Sequence, residues 1–120
     1  MHFSNKEFLC KCGGKHCDLT DTAHPVLVTR LQALREEFGH AIVITSGVRC
    51  NQWNAAQGGV TTSMHLPDGN GYARAADIRC NPKHFEKLKQ LLPKYFKAIG
   101  LAKGWFHVDI RDDSVRHWIY

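Results

Sequence analysis

No apolar run in these 120 residues approaches membrane-spanning length, and the opening Met1-His2-Phe3-Ser4-Asn5-Lys6 lacks a hydrophobic signal segment. A soluble protein made in the cytoplasm is therefore expected. Internal repeats, linkers and low-complexity tracts are missing too, so residues 1–120 read as one domain, long enough to build a core without disulfides. The formal net charge of +5 favours an anionic partner, such as nucleic acid, a membrane surface or a cell-wall polymer. The basic residues nevertheless form no tight Lys/Arg cluster and no repeat interleaved with aromatics, which argues against nucleic acid.

An even number of cysteines is also lacking: there are five, which excludes complete intramolecular pairing. Cys10, Cys12 and Cys17 crowd a Cys-rich segment over residues 1–20, and Cys50 could fold against it. Their spacing is not that of an ordinary zinc ribbon. A small structural metal site, a local disulfide and simple reduced thiols all remain open readings.

What is present reads as two longer helices among several short strands. Thr20, Asp21 and Thr22 are candidate caps for a helix with Pro25 in its first turn and Leu27, Leu31, Leu34 and Phe38 along one stripe, ended by Gly39. Ala41–Thr45 is β-branched and reads as a buried strand. Asn51–Gln57 suits a short helix stopped by Gly58-Gly59. Asn81 can cap a second long helix from Pro82 to about Lys97, kinked or divided at Pro93. A strand over Ala98–Leu101, a turn at Lys103-Gly104, a strand over Trp105–Arg111, a turn at Asp112-Asp113-Ser114 and a last antiparallel strand, Val115–Tyr120, complete the chain. The expected class is α+β, with a mainly antiparallel sheet packed against two longer helices.

Chemistry concentrates in two stretches. In Trp105–Arg111, period-two alternation puts Trp105, His107, Asp109 and Arg111 on one strand face. In Ala73–Arg79, Asp77 falls on a face of small residues, where a carboxylate needs a partner. His65, just ahead of a Gly-rich turn, adds a second imidazole. Two imidazoles and a carboxylate suit zinc, with a fourth position left for a water whose pKa the ion lowers.

These motifs resemble the zinc D-Ala-D-Ala peptidases of family M15, which includes phage cell-wall endopeptidases. The matching pieces are Ser63-Met64-His65, Ala73-Arg74-Ala75-Ala76-Asp77 and His107-Val108-Asp109. The resemblance extends to Phe3, Glu7 and Phe8, to Ser46-Gly47-Val48-Arg49-Cys50, to Asn54 and Gly58-Gly59, and to Arg116 and Trp118. It departs from the family at the connection between the first two motifs. Eleven residues separate His65 from Asp77 where the family has a compact H-x6-D, and Ala73 stands where a Gly is usual. Pro67–Gly71 reads as a loop insertion, being made of turn formers.

The resemblance implies the α+β fold, zinc held by His65, Asp77 and His107, and a peptidoglycan stem peptide as substrate, cut as a carboxypeptidase or an endopeptidase. It also implies that Arg49 holds a substrate carboxylate and that Ser63 hydrogen-bonds the substrate. Gly104, Trp105 and Phe106 fill the places where relatives carry a catalytic acid. Asp109, on the face of His107, is then the candidate general base, with a role orienting a ligand as the alternative. A missing signal segment fits a phage lysis or virion protein, or a cytoplasmic enzyme. The missing acid leaves room for a rival: a non-catalytic zinc-binding module on the same fold, similar to the hedgehog signalling domain.

Overall fold

The computed structural model describes residues 2–112 and 114–120. In chain order it runs through a 3-10 turn (Asn5–Phe8), β1 (Thr22–Ala23), α1 (Pro25–Phe38), β2 (Val43–Ser46), α2 (Asn51–Ala56), β3 (Tyr72–Ala73) and β4 (Ala75–Arg79). A second 3-10 turn (Pro82–His84), α3 (Phe85–Tyr95), β5 (Ala98–Ala102), β6 (Trp105–Asp109) and β7 (Arg116–Ile119) follow. Five strands form one sheet in the order β2-β4-β6-β5-β7, antiparallel except for the β5–β7 pair, and β1 pairs separately with β3. The chain is thus α+β with a mainly antiparallel sheet. Among the described residues no helix is long and apolar enough to cross a membrane.

Period-two alternation divides the sheet into two faces. Ile44, Ala76, Ile78, Phe106, Val108 and Ile99 join a buried cluster with Leu27, Leu31, Leu34 and Phe38 of α1 and Leu88 and Leu92 of α3. Each fully buried side chain of this kind stabilises the fold by roughly 1.5–3 kcal/mol. The helices therefore seal one face and leave the other for polar residues.

Local differences from the sequence expectations have identifiable causes. The cap of α1 is His24, whose Nδ1 accepts from the Val26 N–H at 3.1 Å, because the residues before it are held as a strand in β1. The second helix breaks at its start, as the Pro82–His84 turn, and α3 then continues through Pro93 to end at Tyr95. Pro93 removes one i→i−4 hydrogen bond, but only Lys94 and Tyr95 follow it in α3, so little helix lies beyond the break. The Ala41–Thr45 run is not a fully buried strand: β2 lies at the sheet edge and alternates, with Val43 44% exposed and Ile44 4%. The last strand runs opposite to β6 but pairs in parallel with β5, since β4 and β5 already occupy both edges of β6. Asp113, in the middle of the expected preceding turn, lies outside the described residues.

Candidate metal centre

A single row of paired residues crosses the open face of the sheet. Ser46 pairs with Asp77, Asp77 with His107, His107 with Gly100, and Gly100 with Trp118. An irregularity in β2 between Ile44 and Ser46 brings Ser46 into that row, the kind of re-aiming a β-bulge provides. Gly100 has a steric reason: a Cβ there would lie 2.6 Å from Trp118 Nε1 and 2.8 Å from the Tyr120 ring. Its bare backbone lets the Trp118 ring lie beside His107, centroid to centroid 5.4 Å. Gly100→Ala should displace Trp118 and cost about 1–3 kcal/mol of stability, the usual penalty of overpacking. Denaturant unfolding measures this, and a change under about 0.5 kcal/mol would show that the ring yields freely.

His65 arrives from a loop. Its backbone N–H donates to Ser63 Oγ at 3.1 Å, its carbonyl accepts from the Arg49 N–H at 2.9 Å, and the Met64 carbonyl accepts from the Arg74 N–H at 3.0 Å. The Pro67–Gly71 insertion closes on itself: Asp68 accepts from the backbone of Asn70 and Tyr72 and from the Arg74 guanidinium, while Gly71 turns at φ 81°. The longer connection is thus a turn braced by Asp68 and tied to β1, where the Thr22 N–H donates to the Gly71 carbonyl at 3.1 Å, and it still delivers His65 to the sheet.

The three side chains meet at one carboxylate oxygen. His65 Nε2 lies 3.1 Å and His107 Nδ1 3.0 Å from Asp77 Oδ1, and all three residues are buried. The outer nitrogen of each ring has its own acceptor. His65 Nδ1 is 2.7 Å from the Gly47 carbonyl, and His107 Nε2 is 2.7 Å from Asp109 Oδ2. A carbonyl cannot donate, so His65 carries its proton on Nδ1; the Asp109 carboxylate similarly holds the His107 proton on Nε2. Both inward nitrogens then present lone pairs toward Asp77. Three acceptors converging in these tautomers suit a bound cation, and the mixture of imidazole and carboxylate with outer hydrogen bonds is chemistry that fits zinc.

Charge around the centre follows the same contacts. When protons on the rings rather than a metal ion fill that place, burial still pushes the Asp77 carboxyl upward, but hydrogen bonds from His107 and His65, and their charges, more than offset this and hold it well below the usual range. Asp77 Oδ2 also accepts from the Arg49 guanidinium at 3.1 Å. For His107, burial acts downward and is outweighed by Asp109 and Asp77, so its affinity for a proton is raised. Asp109, also opposed by burial, is drawn down to about 2 by Arg111 and His107.

The centre opens on a cleft of about 960 Å³ bounded by Arg49, Trp53, Ser63, Trp105 and Trp118 among others. Arg49 reaches this cleft but also bonds Ser46 Oγ at 3.0 Å as well as Asp77. Ser63 borders it while its oxygen accepts from the His65 N–H. Asp109 does not border it: its side chain is 0% exposed, and Arg111 grips both oxygens, at 2.9 and 2.6 Å. Asp109 thus sits behind His107, in contact with the ring nitrogen that points away from Asp77. Cys10, Cys12, Cys17 and Cys50 are brought together away from the row, in a small cluster with Val48 and Ala73.

Two participants carried no sequence signal strong enough to single them out. The Gly47 carbonyl acts through its backbone, and Gly47 is so close to Phe8 that a Cβ would lie 2.7 Å from the Phe8 carbonyl oxygen. Arg111 lies just beyond β6, and its alternation with Asp109 was the available signal for the clamp. Compared with known families, the chain matches the family model described as Peptidase M15 over residues 1–109. No curated protein matches it.

Proposed function

The chain belongs to the peptidase M15 family, whose members are zinc enzymes, and from that premise we propose that His65, Asp77 and His107 hold zinc in a peptidase that cleaves peptidoglycan stem peptides. The observation that carries this reading is the convergence of two imidazole lone pairs and a carboxylate oxygen at the floor of an open cleft. When bound, zinc supplies Lewis-acid polarisation of a peptide carbonyl and lowers the pKa of a water molecule toward neutrality.

The protein's own groups do the rest. Gly47 and Asp109 fix the two rings in the tautomers that aim a lone pair inward. Arg49 occupies one oxygen of Asp77, leaving the other for the metal, and its position in the cleft suits a substrate carboxylate. Ser63 keeps a hydroxyl proton to donate at the cleft edge. Trp53, Trp105 and Trp118 provide apolar walls that limit water around the scissile bond.

A second reading, a non-catalytic zinc module, is favoured by one observation: among the described residues lining the cleft, Asp77 is the only carboxylate. Incubation with stem peptides ending in D-Ala-D-Ala separates the two. The peptidase reading expects cleavage that stops on chelation, returns with added zinc, and prefers a free C-terminal carboxylate to its amide. Zinc-loaded, folded protein that leaves both peptides and intact peptidoglycan uncut would establish the module instead.

A further inference from the structure

The sulfurs of Cys10, Cys12, Cys17 and Cys50, none of which lines the cleft, all lie within 4.8 Å of one another, and those of Cys12 and Cys17 are 3.5 Å apart. Pairwise disulfides would need proximity only two by two. Mutual proximity of all four is what a single tetrahedral ion needs: zinc–sulfur bonds of about 2.3 Å place the sulfurs about 3.8 Å apart.

The surrounding chain has little else to hold it. From Lys11 to Leu19 it forms neither helix nor strand, and it passes through left-handed backbone at Gly13, Gly14 and Leu19. Lys11, Gly13, Gly14, Lys15, His16 and Asp18 are exposed, so apolar burial does little to offset the entropy lost on ordering this segment. One backbone N–H is turned onto sulfur instead: that of Cys50 donates to Cys10 Sγ at 3.4 Å. A donor aimed at sulfur suits the thiolate form that binds metal.

We infer that Cys10, Cys12, Cys17 and Cys50 hold a second, structural zinc ion that ties the N-terminal segment to the loop after β2. Four protein ligands leave no open position, so this site is closed to substrate. Its reach extends to the cleft through the chain: Cys50 directly follows Arg49, which bonds Asp77, and the same loop carries the Gly47 carbonyl that holds His65. The ion acts as a clamp on that loop.

Protein purified without chelator should carry two zinc ions per chain. A thiol reagent should detect at most Cys80 in the native protein and all five cysteines after unfolding in chelator without reductant. Cobalt substitution should produce an intense near-ultraviolet sulfur-to-metal charge-transfer band, kept in His65→Ala and lost in Cys12→Ser. Because the thiol counts and the band are read on the unmutated protein, a folding defect in Cys12→Ser does not weaken the test. Five reactive thiols in the native protein, fewer than five after unfolding, or no charge-transfer band would each overturn the inference. The His65→Ala arm keeps that failure distinct from failure of the cleft site.

Discussion

His107→Ala should abolish zinc binding in the cleft and lower peptide hydrolysis by roughly a thousandfold or more, since a Lewis acid contributes several kcal/mol to the barrier and each 1.36 kcal/mol is tenfold. The expectation comes from geometry. His107 supplies one of two inward lone pairs, and no other imidazole among the described residues borders the cleft except His65. Alanine also opens the contact between Asp77 and Asp109 that the ring bridges, at 3.0 and 2.7 Å. His65→Ala should have the same effect on zinc while leaving the His107–Asp109 contact intact. Equal loss in both variants points to a shared ion. Full cleft occupancy in both would mean that the metal sits elsewhere.

Asp109→Asn should weaken zinc in the cleft by about 10- to 100-fold, with activity largely recovered when zinc is raised to saturation, because the lost group holds a ligand in place. The amide retains the shape but cannot accept fully from both His107 and Arg111, whose contacts are 2.7 and 2.6 Å. A general base would behave differently: zinc would stay bound, and a hundredfold activity loss would persist at saturating metal. Titrating activity against zinc decides between them. The acid side of the stability profile carries a related signature. Asp109 has its carboxyl drawn down to about 2, so its stabilising contribution is complete above the ordinary carboxylate pKa near 4 and is lost as pH falls through about 2. Asp109→Asn should flatten that part of the profile.

The alternation Trp105–Asp109 made one structural relation legible before any coordinates: His107 and Asp109 share a face, and they do touch. The apolar stripe of Leu27, Leu31, Leu34 and Phe38 was equally readable, because helix periodicity and core burial are the same fact seen twice. Alternation names a face but not what covers it. Arg111 folds back over Asp109 and removes it from the cleft, which is a tertiary outcome that spacing alone does not encode. The Gly47–His65 contact was hidden for a similar reason, since a backbone carbonyl leaves no mark in the residue types. The pairing of β7 with β5 depended on which sheet edge remained open. Convergence of Cys50 with Cys10, 40 positions away, required the β2 loop to return to the N-terminal segment.

An anomalous difference map at the zinc absorption edge, from crystals of the protein grown without chelator, tests the central claim most directly. The account predicts a peak within about 2.0–2.2 Å of His65 Nε2, an Asp77 oxygen and His107 Nδ1. Crystals that contain zinc by fluorescence yet show no anomalous density among these three atoms would contradict it.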